Sequence, residues 1–261
     1  MKISMLLSEE EYNPTIFETY KNWYWQEKIN GIRAIIHIKD NKITAIRNRN
    51  DMPVLHLFPE LKEITLPVIE GIFDGEIAMT DEKGKSIFYG GIDRRRSIKS
   101  EAEIKQMPYK LKLFLFDVLK FGKEITTHKP YKDRMRLLQE AGLNSEHTEV
   151  VKNWNGKELW DFVVKEDREG IVIKNPLSIY EIDTRSRNNI KVKNYKTADV
   201  MVEKTEENPK GLKIYGTAKI NDRDIVAEVQ FGGRKDIKAG DVVKVKYLDI
   251  YGNKLIQATK E

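Results

Sequence analysis

The sequence contains no cysteine and no long hydrophobic run. The missing cysteines exclude disulfides, a cysteine nucleophile and any zinc site built on thiolates. No apolar stretch reaches the roughly 20 residues that a transmembrane helix needs. The N-terminal segment 1–11 becomes acidic too early for a secretory signal. These absences favour a cytoplasmic protein without membrane contact.

The positive charge is concentrated near the C-terminus. The chain has 261 residues and a net charge of +5, and its length is typical of one large or two medium domains. Residues 183–261 carry 17 lysines and arginines against 12 acidic residues, whereas residues 1–182 carry 29 of each. A basic C-terminal module suits contact with phosphate backbones. A solvated, lysine-rich surface is the simpler alternative.

The first part of the chain mixes strand-like and helix-like segments. Leu111–Leu119 is almost entirely apolar, which is typical of a strand buried on both faces. Tyr131–Ala141 is predicted to be a helix that ends at Gly142. A second helix is predicted to begin after Asn155, which can cap it.

Beyond residue 194 the chain consists of short β-like segments separated by turn residues. These segments are 198–204, 212–220, 224–231, 241–250 and 254–259. Five short strands in about 65 residues suit a small barrel of the OB type, although another β-barrel or a sandwich has the same strand count. We therefore predict an α+β fold, with antiparallel sheets and flanking helices in residues 1–194 and an OB-type β-barrel in residues 195–261.

The segment that begins at Gln26 carries the clearest chemical signal. It places Lys28, Asn30, Gly31 and Arg33 in the spacing Lys-x-Asn-Gly-x-Arg between two β-like stretches. Strand alternation would direct Gln26, Lys28 and Asn30 to one face, and the glycine would allow an unusual φ and close approach of a ligand. The arrangement suits a lysine that attacks phosphorus and becomes linked to a nucleotide. A solvated surface lysine is the ordinary alternative.

Four further segments have chemistry of their own. The Phe-Asp-Gly-Glu segment ending at Glu76 sets two carboxylates on one strand face, where they can bind Mg²⁺ or sugar hydroxyls. Phe116 at a strand end can stack on a base, and Glu169 before a buried strand suits a metal ligand. Lys191 and Lys193 share a face, and a phosphate between them would relieve their repulsion. The alternatives are solvated acids for the segment ending at Glu76, core packing for Phe116 and a lysine-protected sheet edge for the lysine pair.

Taken in order, these segments resemble the motif set of the covalent nucleotidyltransferases, and within them the ATP-dependent DNA ligases. The motifs are Lys-x-Asn-Gly-x-Arg at 28–33, Phe-Asp-Gly-Glu at 73–76, Phe-Asp-Val-Leu at 116–119, Glu-Gly-Ile-Val-Ile-Lys at 169–174 and Lys-Val-Lys at 191–193. The stretches 115–119, 130–138 and 175–178, the last leading to 185–187 and 190–193, favour ligases over capping enzymes. The resemblance covers nearly the whole chain.

The resemblance implies a three-step reaction on nicked double-stranded DNA, with ATP and Mg²⁺ or Mn²⁺ as cofactors and a monomeric enzyme. Lys28 would take AMP from ATP and release pyrophosphate. AMP would then pass to the 5′-phosphate of the nick, and the 3′-hydroxyl would expel it. A lysine ammonium must lose a proton before it attacks, and nearby Arg33, Lys191 and Lys193 would disfavour its charged form.

The resemblance also implies roles for the other motif residues. These are Gln26 for the adenine edge, Phe116 for base stacking, Arg33 and Glu76 for the ribose, Glu169 and Glu76 for the metal, Lys191 and Lys193 for the α-phosphate, and Arg49 for the 5′-phosphate of the nick. Asn30 stands where the family usually has aspartate, and the lost negative charge would slow sealing. The segment 254–261 lacks the arginine-rich motif of many relatives. Because Lys28 lies too early for a preceding helical DNA-binding domain, we expect a minimal ligase.

Two other interpretations stay open. The first is a relative with another substrate, either an RNA ligase or a GTP-using capping enzyme, which nucleotide choice and strand chemistry would distinguish. The second is a non-catalytic nucleic-acid-binding protein that keeps the fold. The presence of Lys28, Glu76, Glu169 and both later lysines argues against the second interpretation.

Overall fold

The chain folds into two compact units, Met1–Val192 and Lys193–Glu261. The computed structural model describes residues 6–98, 100–233 and 236–261, so part of the N-terminal segment that was tested for a signal sequence lies outside the described residues. The α+β class predicted from the sequence is confirmed. Among the described residues, no helix is long and apolar enough to cross a membrane.

The larger unit is rich in sheet. Its strands are β1 (Leu6–Glu10), β2 (Tyr24–Glu27), β3 (Ile32–Lys39), β4 (Lys42–Arg47), β5 (Glu70–Thr80), β6 (Ser86–Ile87), β7 (Lys110–Phe121), β8 (Glu124–Ile125), β9 (Thr148–Val150), β10 (Gly170–Lys174) and β11 (Arg185–Lys193). Its helices are α1 (Ile16–Thr19), α2 (Glu60–Glu63), α3 (Asp93–Arg95), α4 (Glu101–Lys105), α5 (Tyr131–Glu140) and α6 (Gly156–Lys165). Only α5 and α6 reach ten residues in the part of this unit that is described.

Two sheets organise this unit. The main sheet has the order β4-β3-β5-β7-β8, with β6 added on β5 and β9 on β7, and the smaller sheet has the order β1-β11-β10-β2. The main core joins apolar residues of the main sheet to α5, which contributes Met135 and Leu138. A separate core joins the smaller sheet to α6, where Leu159 and Val163 pack against Ile171. The two sheets thus have separate hydrophobic cores, and residues of β2, β5, β7 and β10 line a pocket. The prediction that Phe116 lies at a strand end is wrong, because β7 continues to Phe121.

The predicted helices are present. Pro130 precedes the first turn of α5, and the helix ends before Gly142, whose φ of 65° is the left-handed conformation that glycine adopts readily. The Oδ1 atom of Asn155 accepts hydrogen bonds from the backbone N–H groups of Lys157 and Glu158 at the start of α6. On α6, Leu159, Trp160 and Val163 are buried and Phe162 is only partly buried.

The smaller unit consists of strands that range from two to 13 residues in length. They are β12 (Lys196–Asn208), β13 (Gly211–Ile220), β14 (Arg223–Phe231), β15 (Val242–Tyr247), β16 (Asp249–Tyr251), β17 (Lys254–Ile256) and β18 (Thr259–Lys260). The last two segments predicted from the sequence are each divided in two. Gln257 has a φ of 52°, which interrupts the extended backbone between β17 and β18.

The strands of the smaller unit form one hydrogen-bonded sheet. Their order is β13-β12-β15-β18-β14-β17-β16, and β13 also pairs with β14. The core between them includes Val200, Ile214 and Val245. β18 joins β14 through one residue pair and β15 through two. Because this junction is so short, the closed OB-type barrel stays a prediction. The domain boundary after residue 194 also stays a prediction.

Candidate active site

Five of the residues singled out in the sequence line one pocket of the larger unit. The pocket is lined by Leu7, Gln26, Glu27, Lys28, Ile29, Arg33, Glu76, Phe116, Val151, Val172 and Lys174. Strand pairing explains the convergence, because Arg33 on β3 lies opposite Glu76 on β5, and Gln26 on β2 lies opposite Val172 on β10. Residues far apart in the sequence are thereby brought to one place.

Lys28 is paired with a glutamate at this pocket. Its Nζ lies 2.7 Å from Oε1 of Glu169, and the exposed fractions of the two side chains are 19% and 5%. The backbone N–H of Lys28 donates to the carbonyl of Gly170 at 2.9 Å, which fixes the lysine beside the start of β10. The other carboxylate oxygen, Oε2 of Glu169, is buried and has no hydrogen-bond partner. This oxygen is therefore available to a bound cation or donor.

Glu76 is a partly buried carboxyl group close to this ion pair. Burial raises its pKa to about 7, although the positive charges of Lys28 and Arg33 oppose the shift. The negative charge of Glu169 adds to the increase. Near neutral pH the Glu76 carboxyl is thus close to the balance between its protonated and ionised forms, and it can either donate to or accept from a sugar hydroxyl.

Arg33 is held by a second carboxylate. Its Nε and Nη2 atoms both donate to Asp74, which is completely buried. The Tyr180 hydroxyl donates to Oδ2 of the same carboxylate at 2.6 Å. The charge of Asp74 raises the pKa of Arg33 despite the opposing effect of burial. Asp74 therefore fixes a cation in the pocket and, in this arrangement, serves as an anchor for Arg33.

Lys174 is a pocket residue to which the sequence analysis gave no role. Its Nζ donates to the carbonyl of Phe116 at 3.2 Å and to the Tyr131 hydroxyl at 3.3 Å. Burial lowers the pKa of Lys174 to about 8. The sequence contained a signal for its position in the pocket, because strand alternation puts Lys174 on the same face of β10 as Val172. Both residues line the pocket.

Phe116 presents its ring to two cations. The Cζ atom of Arg33 lies 4.8 Å from the ring centroid, and Nζ of Lys174 lies 4.6 Å from it. Such cation–π contacts are attractive and favour positive charge at the ring face. The ring lies in the pocket, as expected for a base-stacking residue, and that role stays a prediction.

The Gln26 side chain, which was predicted to bind the adenine edge, is almost completely buried. Its side chain is 1% exposed, and Nε2 donates to the Tyr131 hydroxyl at 3.0 Å. The hydroxyl in turn donates to the carbonyl of Phe116 at 2.9 Å. The amide is therefore held in a fixed orientation by α5 and β7, and its role toward adenine stays a prediction.

Gly31 serves local structure, whereas the catalytic role of Asn30 stays a prediction. The backbone N–H of Asn30 donates to Oγ of Ser86 at 2.9 Å. The expected unusual φ at Gly31 is wrong, because its backbone is not in the left-handed region. Glycine is required instead because the backbone at Gly31 lies very close to the backbone of β5. A Cβ added there would lie 2.2 Å from the carbonyl oxygen of Ile77.

The remaining predicted residues do not line this pocket. Lys191 is paired with Glu9 of β1 at 2.9 Å. Lys193 belongs to the smaller unit, where its Nζ donates to Oε1 of Gln257 at 3.0 Å. Arg49 is exposed on a turn in which Oδ1 of Asn48 accepts backbone N–H groups. The roles of all three cations stay predictions.

A bound divalent metal is compatible with the carboxylates of the pocket. The described residues contain no group of three or more metal-binding side chains. Mg²⁺ is commonly held by one or two carboxylates, with water and phosphate oxygens completing its shell. The unpartnered oxygen of Glu169 and the nearby Glu76 fit such a sparse set of protein ligands.

Comparison with known sequences gives a consistent result. A family model described as "ATP dependent DNA ligase domain" matches residues 5–193. The chain is 32% identical over 186 residues to the SPbeta prophage-derived DNA ligase-like protein LigB of Bacillus subtilis. The match covers 70% of this chain and 65% of that protein. The chain is 33% identical over 179 residues to a probable DNA ligase of Dictyoglomus thermophilum, with coverage of 64% and 30%. The chain thus spans less than two thirds of either relative.

Comparison with solved structures supports the same fold. A Lig E DNA ligase, described as binding DNA with a minimal scaffold, superposes with a TM-score of 0.67 at 17% identity. The match covers 100% of this chain and 98% of that one. The ligase domain of LigD from M. tuberculosis gives a TM-score of 0.60 at 16% identity, with coverage of 98% and 94%. At these identities the likeness concerns the fold.

Proposed function

This chain belongs to the family of ATP-dependent DNA ligase domains, and on that premise we propose that it seals 5′-phosphate/3′-hydroxyl nicks in duplex DNA. The proposed reaction passes through a covalent lysine–AMP intermediate and an adenylylated DNA 5′-end. The observation that carries the proposal is the position of Lys28, which is paired with Glu169 in a pocket that also contains Arg33, Glu76 and Phe116.

The first step is self-adenylylation of Lys28. Its Nζ attacks the α-phosphorus of ATP, a nitrogen–phosphorus bond forms, and the bond to the pyrophosphate oxygen breaks. The ammonium must first give up a proton, and Oε1 of Glu169 lies within hydrogen-bond distance to receive it. Proximity of nucleophile and acceptor in one pocket converts the step into a reaction between positioned groups.

The adenosine would be bound by the aromatic and polar walls of the pocket. The Phe116 ring offers a face for the base, and Gln26 offers an amide held by Tyr131. Arg33 and Glu76 lie on adjacent strands, where both can reach the ribose hydroxyls. Lys174 adds a positive charge beside Phe116, which suits a nucleotide with several phosphate charges.

A divalent ion, held by Glu169 and Glu76, would supply charge neutralisation at the phosphates. The chain's own contribution is independent of that ion. Arg33, whose side chain is 15% exposed, and Lys174 provide fixed positive charge. Lys174 is buried, and this strengthens the effect of its charge because solvent is largely excluded around it. Lys191 and Lys193 are proposed to grip the α-phosphate as the nucleotide is transferred.

The nick would be held mainly by electrostatic contacts. Residues 183–261 carry the excess of positive charge, and Arg49 is exposed on a turn stabilised by Asn48. Contacts of this kind position a duplex by its phosphates and do not depend on its sequence. The proposed partner is therefore nicked duplex DNA of any sequence, bound by a monomer.

The test is a denaturing gel of a 5′-phosphate-labelled nicked duplex incubated with the protein, ATP and Mg²⁺. A longer labelled strand is expected for the unaltered chain. Lys28→Ala should form no protein–AMP adduct and seal no nick while keeping its circular dichroism spectrum. The matched control is Lys157→Ala, which removes an exposed lysine on α6 and should leave both activities unchanged.

Three outcomes contradict the proposal in different ways. Adduct formation by Lys28→Ala would refute the assigned nucleophile. Adduct formation with GTP in place of ATP would indicate capping-type chemistry. Sealing of a nicked RNA strand without sealing of DNA would indicate an RNA ligase.

A further inference from the structure

We propose that Tyr180 is a positioning residue that holds Arg33 in the nucleotide pocket by acting through Asp74. The inference rests on the proposed function, because it assigns a role in nucleotide binding to the same pocket. Tyr180 itself does not line the pocket. Its effect would therefore be transmitted through the buried carboxylate.

The geometry of the three side chains forms a continuous hydrogen-bonded chain. The Tyr180 hydroxyl donates to Oδ2 of Asp74 at 2.6 Å. The Nη2 atom of Arg33 donates to that same oxygen, and Nε donates to Oδ1. Asp74 is completely buried and Tyr180 is 4% exposed. With water excluded, the hydroxyl and the guanidinium together determine the orientation of the carboxylate.

The loop that carries Tyr180 is fixed independently of the pocket. The backbone N–H of Tyr180 donates to the carbonyl of Thr127 at 2.8 Å, and the carbonyl of Ser178 accepts the N–H of Tyr131 at 2.8 Å. Nη1 of Arg134 also donates to the Ser178 carbonyl, at 3.1 Å. These contacts hold the loop on the start of α5. The hydroxyl therefore approaches Asp74 from a rigid support, as a positioning group requires.

Arg33, at the other end of this hydrogen-bonded series, contacts the ring proposed to bind the base. The Cζ atom of Arg33 lies 4.8 Å from the ring centroid of Phe116, and Arg33 lies opposite Glu76 across the β3–β5 pairing. A small rotation of the Asp74 carboxylate would move the guanidinium relative to both groups. Nucleotide affinity should therefore depend on a hydroxyl that makes no contact with the nucleotide.

The alternative is that Tyr180 is only a core residue whose hydroxyl needs a partner. In that case its removal would lower thermal stability and reduce nucleotide binding only through loss of folded protein. A positioning role predicts a different pattern. The KM for ATP should rise in fully folded protein, while kcat for adenylylation should change little, because the nucleophile and its partner are untouched.

The first experiment compares Tyr180→Phe with the unaltered chain. The substitution removes one oxygen and keeps the ring. The KM for ATP in self-adenylylation is expected to rise about tenfold, in line with loss of one hydrogen bond to a charged group, with kcat changed by less than about twofold. Tyr20→Phe is the matched control, since its hydroxyl donates to a carboxylate oxygen of Glu10 at 2.9 Å. The control should leave KM unchanged.

A double-mutant cycle with Arg33→Lys separates positioning from general destabilisation. If Tyr180 acts through Arg33, Tyr180→Phe should add almost nothing to the KM of the Arg33→Lys variant. Equal effects in the two backgrounds would overturn the proposal. If Tyr180→Phe does not fold, Asp74→Asn replaces it, and a folded Asp74→Asn variant with an unchanged KM would also overturn the proposal.

A second measurement needs no enzymatic activity. In ¹⁵N-labelled protein the Nε–H of Arg33 should exchange slowly with water, because it donates to a buried carboxylate. Tyr180→Phe should shift this resonance and accelerate its exchange, whereas Tyr20→Phe should not. An unchanged Arg33 resonance would overturn the proposal even if the chain ligates DNA. Absence of any adduct in the unaltered chain would refute the proposed function instead, and the resonance would still decide the role of Tyr180.

Discussion

The Nζ atom of Lys28 lies 2.7 Å from Oε1 of Glu169, and the second oxygen of that carboxylate is buried without a hydrogen-bond partner. Oε1 of Glu169 therefore contacts the proposed nucleophile, whereas Oε2 makes no hydrogen bond. An unpaired buried acceptor costs free energy, so the arrangement is best explained by a ligand that completes it. A divalent cation carried in with ATP would do so.

Replacement of Glu169 by glutamine tests this explanation. Glu169→Gln keeps the size of the side chain and removes the negative charge. The Mg²⁺ concentration needed for half-maximal adduct formation is expected to rise at least about tenfold. Glu166→Gln, at the end of α6, is the control. An unchanged Mg²⁺ requirement in folded Glu169→Gln would show that this carboxylate does not bind the ion.

Lys174 gives a prediction about stability and pH. Its pKa is lowered by burial from an ordinary value of 10.5 to about 8. Below pH 8 the folded and unfolded states both carry the proton, so the full cost of burying the charge is present. Between pH 8 and 10.5 the folded state releases the proton while the unfolded state keeps it, so the contribution of this group to stability increases with pH.

Lys174→Met removes this titration. Methionine should stabilise the protein at pH 7, because no charge has to be buried. The stability advantage over the unaltered chain should shrink by about 2 to 3 kcal/mol between pH 7 and pH 10. Urea unfolding at the two pH values measures it, and titrations elsewhere cancel in the difference. An advantage that does not change with pH would contradict the assigned burial effect.

Much of the pocket was accessible from the sequence because its motifs lie on paired strands. The family resemblance assigned Lys28, Arg33 and Glu76 to one nucleotide site, and all three line the same pocket. The register of β3 on β5 then places Arg33 opposite Glu76. Local patterns thus identified the groups, their order along the chain carried the family resemblance, and the resemblance implied their roles.

Other contacts had no local signal. Tyr180 and Asp74 are 106 positions apart and meet only through the packing of a loop against α5. Lys174 had the expected strand alternation, but a charged residue at a strand end is usually solvated. Its Nζ is covered by the rings of Phe116 and Tyr131, whose centroids each lie 4.6 Å away. Such tertiary relationships cannot be obtained from periodicity.

Phe116 gives a prediction about nucleotide binding. Phe116→Ala removes the ring on which the base is proposed to stack, an interaction of roughly 1–3 kcal/mol in single-strand binders. The KM for ATP in adduct formation should therefore rise by about tenfold or more. Phe116→Tyr keeps an aromatic face and should retain most of the affinity. Equal KM values for the alanine variant and the unaltered chain would exclude stacking at this ring.

Arg49 gives a prediction about DNA binding. Its side chain is exposed on the turn after β4, and we expect it to contact a phosphate at the nick. Binding of a nicked duplex should weaken as salt increases, because each phosphate contact releases counterions. For Arg49→Ala the slope of log Kd against log salt should fall by about 1, the value for one lost contact. Lys157→Ala is the control, since its exposed side chain is paired with Asp161 on α6. Fluorescence anisotropy at several salt concentrations measures both slopes, and an unchanged slope for Arg49→Ala would remove this arginine from the DNA-binding surface.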